Sequence, residues 1–305
     1  MTTTVQTPVK ANRRDVHQQV TDKIIQQMEA GTIPWQQPWK QGEAVRSLSI
    51  PKNLTTGKKY RGVNILLLWL TAEMQQYPTN EWASFMQWQD KKEAVRKGEK
   101  GTMIVYYDTI KREEDGEEKI IPFLKTSFVF NKAQLANYEP KPVENDGKPL
   151  ANLVQRIEKA NVFVDNTGAI IQHKEPKAYY NRLGDFINMP PPELFFDLPT
   201  CTATESYYST LLHELTHWSG DKKRLNREKG KKFGDTKYAA EELVAELGAA
   251  FLCAELEISQ SPPEDHAAYL QSWLKALKDD KHLILTAASE ASKAVDYLQG
   301  LQPTS

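Results

Sequence analysis

Cysteine is almost absent from this sequence of 305 residues, which contains only Cys201 and Cys253. Two cysteines are too few for a disulfide framework, and both lie in apolar surroundings, so we expect buried thiols in a reducing compartment. No apolar run approaches the roughly 18 residues of a membrane-spanning helix, since the longest covers residues 65–70. The first ten residues are polar and rich in threonine, without the apolar stretch of a signal peptide. We therefore expect a cytoplasmic protein with no membrane partner.

A strong net charge is also missing, because 39 basic residues are balanced by 40 acidic ones, which leaves a formal charge of −1. This balance excludes a protein that mimics DNA, since such a protein needs a large acidic excess. The charge is nevertheless unevenly distributed. Residues 1–130 hold 19 basic and 15 acidic side chains, and residues 40–104 hold 11 and 6. The first half is therefore compatible with a polyanionic partner.

The most informative pattern that is present is His213-Glu214-Leu215-Thr216-His217, an HExxH sequence. Positions i and i+4 lie on one face of a helix, about 6 Å apart along its axis, so both imidazoles can bind one zinc ion. Glu214 follows the first histidine by one position, where its carboxylate can act as a general base toward water. We expect Glu214 to be the catalytic residue and the two histidines to be metal ligands.

A second apolar helix, predicted over residues 238–252, offers acidic residues for the third ligand. Two surface glutamates are the ordinary interpretation of such a pair. Glu242 and Glu246, however, share a face with alanines, and Glu242 comes 25 residues after His217, as in glutamate-type zincins. We expect Glu242 to bind the metal and Glu246 to hold a ligand histidine by its free N–H, with Glu241 as the alternative ligand. The expected ion is zinc, and another divalent ion such as manganese is the alternative.

The order of predicted elements indicates an α+β fold of two domains, residues 1–138 and 150–305, joined by a polar, proline-rich linker at 139–149. The first domain is predicted to contain helices over 12–30, 63–76 and 81–93 and strands over 102–110 and 119–131. Besides the two helices with the candidate ligands, the second is predicted to contain helices over 150–160, 263–277 and 281–298 and strands over 162–164 and 178–189. The last of these strands is a candidate edge for pairing with an extended peptide, and an ordinary internal strand is the equal alternative.

Tryptophans and basic residues are interleaved between positions 35 and 88, where five of the seven tryptophans lie. Flat aromatic rings stack on unpaired bases while cations contact the phosphates, so this pattern is typical of single-stranded nucleic-acid binding. Trp69 and Trp82 sit among apolar residues and are expected in the core. Trp35 and Trp39 flank prolines in a predicted loop, where we expect them to be exposed.

Two groups of motifs resemble the ArdC-type antirestriction proteins. Pro34-Trp35, Pro38-Trp39 and residues 57–64 and 95–102 resemble the single-stranded-DNA-binding domain of that family. The second group resembles the metallopeptidase domain of the same family and consists of residues 185–190, 213–220, 224–225 and 238–252. The resemblance implies a plasmid-encoded bacterial protein that protects incoming DNA from host restriction during conjugation. The second half is also similar to Spartan-type DNA–protein-crosslink proteases, but it offers a glutamate where those have a third histidine.

We expect the DNA-binding residues to be the aromatic, basic and amide side chains of these motifs. They are Trp35, Trp39, Lys58, Lys59, Tyr60, Arg61, Asn64, Arg96, Lys97 and Lys100. We expect a monomer whose partners are single-stranded DNA and a DNA-bound protein substrate such as a component of a restriction system. The alternative is a DNA-binding protector whose metal site is structural or not needed for protection. Glu214 favours the peptidase, because a structural site needs no general base.

Overall fold

The computed structural model describes residues 15–31, 33–35, 49–114, 117–140, 149–198, 201–227, 236–258 and 266–303. Trp39 and most of the predicted linker lie outside the described residues, and the domain boundaries stay a prediction. Helices and two sheets are combined within the described ranges, so the expected α+β fold is confirmed. No helix among these residues is long and apolar enough to cross a membrane.

The first half of the chain forms a sheet and the helices packed on it. In chain order these are α1 (Val16–Glu29), β1 (Lys52–Asn53), α2 (Val63–Met74), β2 (Glu81–Ser84), α3 (Phe85–Asp90), β3 (Thr102–Glu114) and β4 (Glu117–Asn131). The strand order is β1-β2-β4-β3, with β1 and β2 parallel and the other neighbours antiparallel. The two strands predicted around residues 102–131 are confirmed as one long hairpin.

The helix predicted over 81–93 is divided in the structure into a strand and a shorter helix. β2 pairs with β4, so that Ser84 lies opposite Val129. The Ser84 hydroxyl then accepts a hydrogen bond from the Gln87 N–H at 3.3 Å, and the Gln87 side-chain oxygen accepts one from the Ser84 N–H at 2.9 Å. This reciprocal capping box ends the strand and starts α3.

The second half of the chain contains a small sheet and a group of longer helices. In chain order these are α4 (Pro149–Thr167), β5 (Ile170–Gln172), β6 (Tyr179–Asn181), β7 (Phe186–Asn188), α5 (Ala203–Ser219), α6 (Thr236–Leu256), α7 (His266–Asp279) and α8 (Leu283–Gly300). β7 lies in the middle of the sheet, parallel to β5 and antiparallel to β6. The predicted helices of this half are present, with bounds that differ by a few residues.

Two strand predictions in this half are wrong. Residues 162–164 belong to α4, because Ala160, Phe163 and Val164 are buried together on one face at helical spacing. Residues 178–189 are a hairpin instead of one strand, since the chain turns between β6 and β7 and Asp185 adopts a positive φ of 52°. β5 was not expected from the sequence, and it forms one edge of the sheet while β6 forms the other.

Both halves contribute to one cluster of buried apolar side chains. α1 contacts α7, α2 contacts α8, and the ring of Trp69 lies edge-on at 5.8 Å from the ring of Phe251 in α6. Trp69 and Trp82 are 2% and 0% exposed, so the prediction that they lie in the core is confirmed. The halves are therefore held together by packing as well as by the chain that joins them.

Trp35 also belongs to this core, and the expectation that its ring is exposed is wrong. The side chain is fully buried, and its ring meets that of Trp273 in α7 at 5.7 Å and 69°. The neighbouring prolines restrict the backbone but do not decide burial, whereas an indole stabilises the fold strongly when it is removed from water. In this conformation Trp35 offers no face on which a base could stack.

We expect Trp35→Ala to lower the free energy of unfolding by about 3–5 kcal/mol, because it empties a fully buried site between the two halves. Denaturant unfolding followed by circular dichroism measures this loss. Tyr107→Ala is the control, since that side chain is 66% exposed, and it should change stability by less than about 0.5 kcal/mol. Equal stability of Trp35→Ala and the wild type would contradict the packing described here.

Candidate metal centre

The helix with the HExxH motif is defined by its first turn and its buried face. Thr202 caps the N-terminus of α5 in a reciprocal capping box with Glu205. Leu211, Leu212 and Leu215 are at most 1% exposed and anchor the helix in the core. The motif histidines are thereby presented toward α6.

The structure brings together His213, His217 and Glu242, whose potential ligand atoms all lie within 4.8 Å of one another. Nε2 of His213 is 3.6 Å from one carboxylate oxygen of Glu242, and Nε2 of His217 is 3.5 Å from the other. Two imidazole nitrogens and a carboxylate oxygen that converge in this way suit a divalent ion with bonds of about 2 Å to each ligand. The donor set therefore fits a bound metal.

The remaining nitrogen of each histidine faces a different glutamate of α6. Nδ1 of His213 lies 3.4 Å from Glu246. Nδ1 of His217 lies 3.1 Å from Glu241. Glu241 thus occupies the outer side of His217, and Glu242 is the carboxylate that faces both Nε2 atoms. Partners of this kind fix the orientation of ligand histidines.

Arg227 is a part of the site that the sequence did not indicate. Its guanidinium donates to both carboxylate oxygens of Glu241, at 3.2 and 3.1 Å, and it is buried. Space for the guanidinium exists because residue 220 is glycine, where a Cβ would stand 2.7 Å from an Arg227 nitrogen. The sequence offered a signal for Glu241, the partner of Arg227. Two ligand histidines require two partners for their Nδ1 atoms, and Glu241 is a further carboxylate directly beside Glu242.

The carboxylates give the site an electrostatic preference for a cation. Burial alone would lower the pKa of His213, but Glu242, Glu246 and Glu214 raise it to about 9. Burial alone would raise the pKa of Glu241, yet His217 and Arg227 lower it to about 2.

Glu214 is buried beside the ligand set, at 7% exposure. It lies on α5 directly after His213, and its charge contributes to the raised pKa of that histidine. The structure therefore places a buried carboxylate close to His213, and the role of this carboxylate as a general base stays a prediction.

An ion-paired network holds the β6–β7 hairpin to the loop after α5. Arg224 donates to Asp185 at 2.6 and 3.2 Å and to the Tyr180 hydroxyl at 2.8 Å. Its guanidinium carbon also lies 3.9 Å from the centre of the Trp218 ring. Hydrogen bonds from Arg224 hold the pKa of Asp185 well below its usual range. The small sheet is thus fixed beside the end of the HExxH helix.

The basic residues predicted to bind DNA lie in two groups on the first half. Lys58, Lys59 and Arg61 are exposed, and they line a cavity of about 330 Å³ between this half and helices α6 and α8. Lys59 is ion-paired with Glu255 of α6, and Arg61 is paired through two bonds with Asp296 of α8. Tyr60 is half-buried beside them.

The second group precedes β3, where Arg96, Lys97 and Lys100 are exposed. Arg96 donates to Glu99 at 2.7 and 3.0 Å and to the Leu135 carbonyl at 3.0 Å. Asn64 is engaged elsewhere, because its side-chain amide exchanges hydrogen bonds with the backbone of Val105 at 2.7 and 2.8 Å. Asn64 therefore has a structural contact that the sequence did not indicate.

We expect His213→Ala to abolish stoichiometric binding of a divalent metal, because it removes one of three protein ligands. Glu241→Ala and Glu246→Ala should instead weaken metal affinity by about 10–100-fold, because they only release the orientation of an imidazole. Elemental analysis after dialysis and competition with a chelator measure the two effects. Glu193→Ala, at an exposed position, is the control. Full metal occupancy after His213→Ala would contradict the assignment of His213 as a metal ligand.

Two family models match consecutive parts of the chain. Residues 14–130 match the N-terminal domain of anti-restriction factor ArdC, and residues 158–290 match a zincin-like metallopeptidase. Uncharacterized protein y4eC of Sinorhizobium fredii is 37% identical over 98% of this chain and 94% of its own length. DNA primase TraC of Escherichia coli is 33% identical over 94% of this chain, which spans only 27% of that primase.

Solved structures agree with the family models. The metal-free crystal structure of the antirestriction ArdC protein from plasmid R388 is 42% identical, with a TM-score of 0.76 over 94% of this chain and 97% of that one. Its Mn(II)-bound structure matches with 40% identity and a TM-score of 0.73 over 94% and 98% of the two chains. Because sequence and structure both match over nearly the whole length, this chain belongs to the ArdC family of antirestriction proteins.

Proposed function

We propose that this chain binds single-stranded DNA and hydrolyses peptide bonds of a DNA-bound protein at the metal centre. In this role it protects incoming plasmid DNA from host restriction during conjugation. The observation that carries the enzymatic part is the convergence of His213, His217 and Glu242 beside the buried carboxylate of Glu214. Membership of the ArdC family supports the antirestriction part.

His213, His217 and Glu242 are the residues that would hold the ion. Two imidazoles and one carboxylate favour zinc, whereas the Mn(II)-bound relative supports manganese as the alternative. When bound, a divalent ion polarises a substrate carbonyl and lowers the pKa of water. Three protein ligands leave a coordination position for substrate or water, which a structural site with four protein ligands does not.

Glu214 carries the proton transfers in this proposal. Its carboxylate accepts a proton from the water that attacks the peptide carbonyl, and it returns the proton to the departing amine. Glu241 and Glu246 hold the two imidazoles by their Nδ1 atoms, so that both Nε2 atoms stay directed at Glu242. Helix α5 therefore supplies two ligands and the general base. Helix α6 supplies the third ligand and the two carboxylates that orient the imidazoles.

The exposed cations of the first half support DNA binding. Lys58, Lys59 and Arg61 belong to one segment, and Lys97 and Lys100 to another. Phosphates that contact such residues release counterions, which makes binding favourable and sensitive to salt. Single strands are the proposed ligand because unpaired bases add stacking on aromatic rings.

Contacts between the halves suggest how DNA affects the metal centre. Lys59 is paired with Glu255, and Glu255 lies on α6 together with Glu242. A phosphate that binds Lys59 or Arg61 competes with Glu255 or Asp296 for the same cation. We therefore propose that single-stranded DNA stimulates proteolysis, including self-cleavage, by changing the contacts of α6.

Glu214→Gln is expected to keep its metal and to lose DNA-stimulated cleavage of a protein substrate or of itself, because the amide cannot accept the proton. Gel electrophoresis of the reaction, together with metal analysis, measures both properties. Glu193→Gln is the matched control at an exposed position and should cleave like the wild type. Unchanged cleavage by Glu214→Gln would remove this residue from the mechanism.

The same variant separates peptidase activity from protection of DNA. If Glu214→Gln protects transferred DNA from restriction as well as the wild type does, DNA binding alone explains antirestriction. The peptidase proposal for this role then fails, and the metal site is structural or not needed for protection. Loss of protection with retained DNA binding supports the peptidase.

Simultaneous replacement of Lys58, Lys59 and Arg61 by glutamine should weaken binding of single-stranded DNA and flatten its salt dependence. Each lost phosphate contact should reduce the slope of log affinity against log salt by about 0.7. Fluorescence anisotropy at several salt concentrations measures both quantities. The matched control replaces three exposed lysines of the second half, Lys174, Lys177 and Lys222. Equal affinity for duplex DNA, or an unchanged triple variant, would contradict the proposal.

A further inference from the structure

One face of the larger sheet carries aromatic side chains that are exposed or partly exposed among the described residues. Phe128 of β4 is 55% exposed, and Phe85 at the start of α3 is 46% exposed. Phe130 of β4 is partly exposed, and its ring lies 6.1 Å from the ring of Phe85, at an angle of 63°. We call Phe85, Phe128 and Phe130 the aromatic face.

The alternation of β4 places these rings on the side opposite to Val129. Val129 is 2% exposed and packs with Leu68 and Trp82, so its side of the sheet is part of the core. Phe128 and Phe130 point the other way. Large apolar side chains that are exposed side by side usually mark a binding surface.

Gly101 lies against two side chains of the aromatic face. A Cβ at this position would stand 3.0 Å from Cβ of Phe128 and 3.1 Å from the ring of Phe130. Any larger residue would therefore displace the rings or rise between them. The missing side chain lets Phe128 and Phe130 lie directly against the backbone of residue 101, without a third side chain between them.

The segment that borders this face is strongly basic. Residues 91–100 contain five basic and two acidic side chains. One of the acids, Glu99, is paired with Arg96, while Lys97 and Lys100 are exposed and form no salt bridge among the described residues. Val95 packs in the same small core cluster as Phe130, which fixes the segment at the edge of the face. Charge complementarity thus favours a polyanion over an apolar peptide.

The aromatic face is also connected to the other basic segment. The Asn53 side-chain amide donates to the Gln87 side chain of α3 at 3.0 Å and to the Tyr60 hydroxyl at 3.3 Å. Gln87 follows Phe85 by two positions, and Tyr60 lies between Lys59 and Arg61. One bridging side chain therefore spans the distance between the two surfaces.

We propose that the aromatic face, with Lys97 and Lys100 at its edge, is the surface on which bases of single-stranded DNA stack. Exposed rings on a sheet bind bases in any sequence because every base has a flat π-face, while neighbouring cations contact the phosphates. The inference rests on the proposed binding of single-stranded DNA and names the residues responsible. It replaces Trp35, whose ring is buried.

The test measures the affinity of the full chain for a fluorescent oligothymidylate by anisotropy. Phe85→Ala and Phe128→Ala should each weaken binding by about 5- to 100-fold, with thermal unfolding close to that of the wild type. Phe128→Trp should bind at least as tightly as the wild type, whereas Phe128→Leu should bind like Phe128→Ala. Phe196→Ala removes another exposed ring, 71% exposed in the second half, and should leave affinity unchanged.

The outcomes separate this inference from the proposed function. If the wild type does not bind the oligonucleotide, the proposed DNA-binding function fails and the inference fails with it. If the wild type binds and both alanine variants bind equally well, only the aromatic face is refuted. Full affinity of Phe128→Leu would refute stacking by showing that only apolar bulk matters. A dimeric wild type that becomes monomeric in Phe128→Ala, with DNA affinity unchanged, would instead make this face an interface between copies of the chain.

Discussion

The close approach of α5 to α6 is the constraint on which the metal centre depends. Residue 248 is glycine, and a Cβ there would stand 2.5 Å from Cγ2 of Thr216. Thr216 lies inside the HExxH sequence, so the contact occurs beside the ligand histidines. Because Gly248 has no side chain, the helices come near enough for Glu242 to reach both Nε2 atoms. A larger residue at 248 would separate the two helices at the site.

Close packing also explains why so many charges are buried here. A buried carboxylate is costly unless it is paired, and each glutamate that α6 directs toward α5 faces an imidazole. The pairing is uneven. Burial raises the pKa of Glu246 despite the nearby His213, whereas the histidines outweigh burial at Glu242 and lower its pKa. The carboxylate between the histidines is therefore kept ionised, as a metal ligand must be.

The sequence predicted much of the site because helical spacing converts directly into geometry. The shared face of the i and i+4 histidines follows from periodicity, whereas the choice of Glu242 as third ligand, with Glu241 as the alternative, came from the likeness to glutamate-type zincins. Contacts between distant segments have no such periodic signal. Arg227 reaches Glu241 from a loop, and Trp35 is buried by Trp273 in a helix more than 200 residues away. Pairing of β2 with the distant strand β4 likewise replaced the first part of the helix predicted over residues 81–93.

The two kinds of contact between the halves differ greatly in strength, and this difference matters for the proposed coupling. An exposed ion pair such as Arg61–Asp296 contributes about 0–1 kcal/mol, so a phosphate can displace the carboxylate at little cost, whereas Lys59–Glu255 is a partly buried pair. The apolar contacts of Trp35 and Trp69 with the second half are buried and far more costly to break. DNA binding should therefore release the ion pairs without separating the halves. Any signal to the metal centre then travels through a shift of α6, the helix that holds both Glu255 and Glu242.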